Sequence, residues 1–219
     1  MTTKLKIDFV SDIACPWCAV GLGALEQALE ELQDEVQADI HFQPFELNPQ
    51  MPEGGQDLFE HLNQKYGSSK EQQTQMYQNI KARGAEVGFA FHPTGRGRIF
   101  NTFDAHRLLH WAQVEGQDGD QLRLKKAFLQ AYQGQGEVIE SHEVLLNIVQ
   151  TLGMDVEAAG AILTSDTYAD EVRAKENFYT SAGIHSVPAV IINDRHLISG
   201  GQPAQVFAQA LREIAAQAA

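Results

Sequence analysis

Hydrophobic and polar residues alternate through Leu5, Ile7 and Phe9, the period of a strand. The period then lengthens. Leu22, Leu25, Leu29 and Leu32 fall at helical spacing and predict a first helix from about Pro16 to Gln33. A second strand is expected near Asp39–Glu46, with Ile40 and Phe42 on one face. Pro49, Pro52 and Gly54-Gly55 then break the sheet. From about Asp57 to Gly183 the pattern is almost wholly helical. Ser69 with Gln72 resembles a capping box, opening a helix that runs to about Glu86. Gly88 to Gly97 reads as a loop. Phe100, Phe103, Leu108 and Trp111 mark the next helix, and Leu122, Leu124, Phe128 and Leu129 another, stopped at Gly134 and Gly136. Val144, Leu145, Ile148 and Leu152 mark a third, stopped at Gly153, and a further helix is expected from about Thr167 to Ala182. Strand signals return at Val187–Asn193 and His196–Ser199 around the turn candidate Asn193-Asp194-Arg195. Val206, Phe207, Ala210, Leu211 and Ile214 form a last amphipathic helix.

The plan is therefore βαβ, a long helical block, then αββα. The two flanking pieces together make one sheet covered by helices, while the middle block has no strands with which to complete a sheet. The expected domains are a discontinuous α/β unit of residues 1–56 and 166–219 and a helical insertion of 57–165.

Composition narrows the function. The chain has 219 residues, 43% of them hydrophobic, enough for a packed core without staples. Its net charge is −13, so no basic face for nucleic-acid phosphates is expected. No apolar run approaches the roughly 18 residues of a membrane span. Met1-Thr2-Thr3-Lys4 enters the first strand without an apolar leader, which points to a cytoplasmic protein with reduced thiols.

The chain has two cysteines, Cys15 and Cys18, set between the first strand and the first helix. Pro16 suits the first helical position. Cys15 then sits where orphan backbone N–H groups and the helix dipole favour a thiolate. Cys18, one turn on, is placed to attack a mixed disulfide formed at Cys15. A structural zinc site needs about four ligands, and two thiols do not supply them. A Cys-x-x-Cys near a βαβ pattern reads as a thioredoxin-like redox motif.

Several blocks carry a resemblance. They are Ser11-Asp12-Ile13-Ala14-Cys15-Pro16-Trp17-Cys18, Phe45-Glu46-Leu47-Asn48-Pro49, Asn101 to Leu108, Gly183-Ile184-His185-Ser186-Val187-Pro188 and Ile198-Ser199-Gly200-Gly201-Gln202-Pro203. In this order the chain resembles the DsbA family of thioredoxin-fold oxidoreductases, more closely its FrnE-like branch. The resemblance implies an α/β, thioredoxin-like fold with a large all-helical insertion, a nucleophilic Cys15 and a resolving Cys18. It also implies a cis bond before Pro188. A cis form would turn the Val187 backbone toward an incoming chain, which could pair with it as an added strand. Pro16, Trp17, Val187 and Pro188 would then meet substrate. The dipeptide Pro16-Trp17, in place of the Pro-His of strongly oxidising relatives, implies a less oxidising couple.

Other residues read less sharply. Asp12, His106 and His185 are candidates to tune the thiolate, and Asp12 or Glu46 could accept the Cys18 proton. His106 and His110 stand four apart on one helix, but the interleaved Leu108, Leu109 and Trp111 favour packing over a metal site. Arg96 and Arg98 lie in a Gly-rich loop that could bind an anion and more often is a flexible connector. No metal and no cofactor is expected. The partners expected are thiol or disulfide substrates, protein or small such as glutathione, with a homodimer as an allowed assembly. The alternative is a glutathione-dependent transferase or isomerase of the kappa or 2-hydroxychromene-2-carboxylate isomerase type, against which Cys18 argues.

Overall fold

In the computed structural model, which describes residues 2–218, the alternating N-terminal run is β1 (Thr3–Ser11). It is followed by α1 (Pro16–Glu31), β2 (Val36–Pro44), the two-residue β3 (Gln56–Asp57), α2 (Leu58–Tyr66) and α3 (Lys70–Glu86). Next come β4 (Arg98–Ile99), α4 (Phe103–Val114) and α5 (Asp120–Leu129), the last prolonged by a π-helical turn over Gln130–Gln135. Then follow α6 (His142–Thr151), α7 (Val156–Leu163), α8 (Ala169–Ser181), β5 (Ala189–Ile192), β6 (His196–Ser199) and α9 (Ala204–Ala218).

The main sheet has the order β2-β1-β5-β6. β1 pairs in parallel with β2, from Thr3↔Val36 to Ser11↔Pro44, and antiparallel with β5. β5 and β6 form an antiparallel hairpin. Asn193 and Asp194 both take positive φ at its turn, as primed hairpin turns require.

β2 begins at Val36 rather than Asp39, because parallel pairing with β1 runs the whole length of both strands, whatever the alternation of the side chains. Its end at Pro44 is tolerated on an edge strand, where no ladder N–H is needed. That edge is partly covered: the Gln121 side chain of α5 accepts from Phe42 N at 2.9 Å and donates to Phe42 O at 3.0 Å. An amide side chain thus takes the place of a neighbouring strand, blunts the edge and docks α5 on the sheet. The helical block is not purely helical. β3 and β4 pair across it, Gln56 with Ile99 and Asp57 with Arg98.

Three buried clusters hold the elements together. In the first, Leu5, Ile7 and Phe9 of β1 meet α1 and α9, with Leu25 and Phe207 fully buried. The second lies within the helical block, around Leu108, Leu124, Phe128, Tyr132 and Leu145. In the third, Tyr179 of α8 joins Val10 and Ala189 on the sheet. Fully burying one such leucine or phenylalanine contributes about 1.5–3 kcal/mol. Cys15 and Cys18 belong to the first cluster, whereas Ile13 and Ala14 belong to the second. The segment before α1 therefore runs along the seam between two cores. The capping box forms: Ser69 N donates to Gln72 Oε1 at 2.8 Å, and Gln72 N donates back to Ser69 Oγ.

Candidate active site: a dithiol at the start of α1

Cys15 is the N-cap of α1 in extended geometry, with Pro16 opening the helix. Both cysteines are reduced and buried, Cys18 completely. The two thiols are electrostatically unlike. The Cys15 thiol is held below its ordinary value, first by a hydrogen bond from the Cys18 thiol and then by the Cys18 and Trp17 backbone N–H groups. Burial and the Asp12 charge oppose this without reversing it. The Cys18 thiol is pushed well above its ordinary value, by burial first and then by Cys15. The two shifts are opposite in sign, so Cys15 is the more readily ionised of the pair and Cys18 the less. Pro16 and Trp17 are half-buried at the helix start.

Asp12, almost wholly buried, fixes the turn before Cys15. Its Oδ1 accepts from Ala14 N at 3.0 Å and Thr102 Oγ1 at 2.8 Å, and its Oδ2 from Leu47 N at 2.7 Å. His106 Nε2 stands 3.5 Å from Oδ1, the loosest of these contacts. Burial alone would raise this carboxyl, but His106 and the N–H groups of Leu47 and Ala14 hold it below its ordinary value. The resulting negative charge opposes ionisation of Cys15.

The helical block grips the same turn. Arg96 Nη1 donates to Ala14 O at 2.6 Å, and Gln133 Nε2, from the π-helical turn, donates to Ile13 O at 2.8 Å. The Arg96 guanidinium also stacks 4.7 Å from the Tyr132 ring centroid. Arg98 donates to Gly54 O and Gly55 O. These arginines bind backbone carbonyls, and the loop that carries them is a clasp, not a slack connector.

Opposite the sulfurs, the Val187–Pro188 peptide bond is cis. Cys15 Sγ lies 3.4 Å from Val187 O. The Pro188 segment sits against a glycine face of α1: a Cβ on Gly21 would fall 2.9 Å from Pro188 Cγ. One on Gly201 would fall 3.1 Å from Trp17 O. His185 is exposed in the segment leading to Pro188.

Glu46 is taken up by Arg173, which also binds Glu176 at 2.8 Å and stacks 3.7 Å over Phe103. Burial and the Glu176 charge push the Glu46 carboxyl up. Among the described residues no group of three or more His, Cys, Asp or Glu side chains is arranged to hold a metal. His106 and His110 instead border one small cavity together with Lys125, which is wholly buried. Sequence reasoning missed Lys125, Thr102 and Gln133. Lys125 did leave a signal: it lies on the buried stripe of α5, four residues after Gln121 and three before Phe128.

The description "DSBA-like thioredoxin domain" matches residues 6–212. The chain is 35% identical to the probable DsbA oxidoreductase of Streptomyces coelicolor, at a TM-score of 0.85 over 95% of this chain and 89% of that one. It is 28% identical to the uncharacterized protein YwbO of Bacillus subtilis, over 97% of this chain and 98% of YwbO. The fold is shared with 2-hydroxychromene-2-carboxylate isomerase, at 13% identity, a TM-score of 0.70 and 97% of both chains. It is shared too with the Pseudomonas aeruginosa cytosolic disulfide reductase DsbM solved with GSH, at 16% identity, a TM-score of 0.61, and 95% of this chain and 98% of that one. Matched along nearly its whole length, the chain belongs to the DsbA-like thioredoxin-domain family.

Proposed function

We propose that the chain is a thiol–disulfide oxidoreductase or isomerase in which Cys15 attacks and Cys18 resolves. The observation that carries this is the asymmetry of the pair, a lowered Cys15 thiol at a helix N-terminus and a raised Cys18 thiol behind it. The Cys15 thiolate attacks a substrate disulfide and forms a mixed disulfide, expelling one substrate thiolate. Cys18 then attacks the Cys15 sulfur and releases the second. The reverse sequence oxidises a dithiol substrate, and Cys15 acting alone shuffles disulfides. Pro16, Trp17, Val187 and Pro188 form the substrate side, and Asp12, His106 and His185 tune the thiolate. Substrates are protein disulfides or small ones such as that of glutathione, the ligand named for DsbM. The same reading makes residues 57–165 an insertion within a discontinuous thioredoxin-like unit of 1–56 and 166–219. It places the chain in the FrnE-like branch and in the cytoplasm. No described helix is long and apolar enough to cross a membrane.

The test is a trap. Cys18→Ala purified from cells is expected to carry clients or glutathione on Cys15, released by reductant. A preparation with an unmodified Cys15, from cells in which the wild type cycles between dithiol and disulfide, overturns the assignment. A glutathione-dependent isomerase is the second reading, favoured by the fold shared with 2-hydroxychromene-2-carboxylate isomerase. It requires turnover with glutathione to persist in Cys18→Ser.

A further inference from the structure

One guanidinium neutralises one carboxylate, but Arg173 of α8 is shared by two. Its Nη1 donates to Glu46 Oε2 and, at 2.8 Å, to Glu176 Oε2. Glu46 lies in the loop after β2, and Glu176 stands three residues beyond Arg173 in the same helix. The guanidinium stacks 3.7 Å over the ring of Phe103, at the start of α4. Both carboxyls are buried: the Glu46 side chain is 2% exposed and that of Glu176 12%.

Each carboxyl spends one oxygen on Arg173. The remaining oxygens, Glu46 Oε1 and Glu176 Oε1, are buried and have no donor among the described residues. Yet the two carboxyls are within hydrogen-bonding reach of each other. Two ionised carboxylates cannot bond to one another, because both only accept. Fully ionised, the group would bury an uncompensated charge and two unmet acceptors, the costly form of a buried ion cluster. A single proton removes both defects. It turns one carboxylate into an acid whose O–H donates to the free oxygen of the other, and it leaves the three side chains neutral as a group.

We propose that Glu46 and Glu176 share one proton where free glutamates are ionised, and that this acid pair latches the loop after β2 to α8. The proton lies between the two Oε1 atoms, an O–H on one and a hydrogen bond to the other. Burial raises both carboxyls above the ordinary 4.5, and Arg173 pulls them down without reversing it. Two further titratable groups face the pair: His106 of α4, which favours ionisation, and Asp12 of the turn before α1, which opposes it. The latch bears on the surroundings of the dithiol from two sides. Phe45 and Val187 both pack on the third cluster, and Leu47 N holds Asp12 Oδ2. From α8 the chain passes Ile184, whose N–H donates to Tyr179 O at 3.0 Å, and reaches the cis bond before Pro188. Loss of the shared proton sets two like charges against each other at this joint, so the Val187 segment is held less firmly as pH rises.

The pair titrates whether or not the thiols exchange disulfides, so its failure and that of the exchange reading are separate observations. In the wild-type chain carrying carbon-13 glutamate, one proton is expected to remain on Glu46 and Glu176 above pH 4.5, with both carboxyl signals responding to its loss. Two signals that titrate singly at or below 4.5 overturn the proposal. Glu176→Gln replaces the shared proton with an amide N–H that donates to Glu46 at every pH. A carboxyl raised in the folded state gives stability that is full below 4.5 and is lost as pH rises through the folded midpoint. In urea unfolding, the wild type should therefore lose ground to Glu176→Gln by about tenfold in the unfolding constant per pH unit between 4.5 and that midpoint. A ratio constant with pH overturns the proposal. Above the midpoint, the Ile184 amide should exchange hydrogen about tenfold faster in the wild type than in Glu176→Gln at equal pH. Equal exchange overturns the link from the pair to the Val187 segment.

Discussion

At Cys15 the leading support for the thiolate is not the helix terminus but the thiol of Cys18, ahead of the backbone N–H groups. The substitution used for trapping therefore alters the nucleophile it is meant to preserve. Cys18→Ala is expected to raise the Cys15 pKa, moving the inflection of iodoacetamide alkylation to higher pH; an unmoved inflection would assign the effect to the backbone alone. The sign for stability follows. A thiol depressed in the folded state stabilises the reduced protein fully above its ordinary value of 9.0, and this is lost as pH falls through the folded value. The melting temperature of the reduced wild type should thus gain on that of Cys18→Ala as pH rises toward 9.0. Cys15, Cys18 and Pro16 were legible because their meaning is local: three residues of spacing and a proline at a helix start. Asp12 was legible as a group that could tune Cys15, but the sign of its effect was not, because it depends on how completely a distant loop and α4 surround one carboxylate.

Among the elements, α1 shows why glycines stand where a helix would prefer alanine. Gly21 lets Pro188 approach so closely that an added methyl meets its ring at 2.9 Å. Gly21→Ala is expected to push the Pro188 segment off α1, lower the rate of Cys15 alkylation and cost about 1–3 kcal/mol in urea unfolding. An unchanged rate and midpoint would show that the segment yields freely. The sequence pattern placed Gly200-Gly201 at the end of a hairpin, which is where it lies, but Gly201 also serves close packing on Trp17. Helices were legible throughout because their apolar periods and stop signals are local: Gly136 and Gly153 both take the left-handed conformation at the ends foreseen for them. The π-helical turn was not legible. It brings Gln133 to Ile13 and Tyr132 between Phe100 N and Arg98 O, contacts made across the fold.

Over the whole molecule, Asp12 joins the turn before α1, the loop after β2 and the start of α4. Its carboxyl lies below the ordinary 3.8, so its contribution is full above that value and is lost as pH falls through the folded one. Asp12→Asn, which leaves Leu47 N without an anionic acceptor, is expected to cost about 1–3 kcal/mol at pH 7. The deficit should shrink in urea titrations carried to acid; a deficit constant with pH would mean that the charge is not what joins these segments. The α/β plan was legible from the change of hydrophobic period. How the helical block meets the sheet was not, because Arg96, Thr102, Gln121 and Gln133 look like ordinary polar residues until their partners are known.

The order in which the chain is made gives the clasp a further meaning. The carbonyl of Ile13 finds its donor 120 positions later, and the second edge of β1 is closed only by residues 189–192. At about 5–20 residues per second, a ribosome needs roughly 10–40 s to supply that last strand. Throughout the interval the turn before Cys15 lacks its Gln133 donor, and β1 lacks its antiparallel partner. A nascent polypeptide of this sequence completes the wall around its two sulfurs only when nearly finished, and fragments of it left by interrupted translation carry the motif without the Val187–Pro188 segment opposite it.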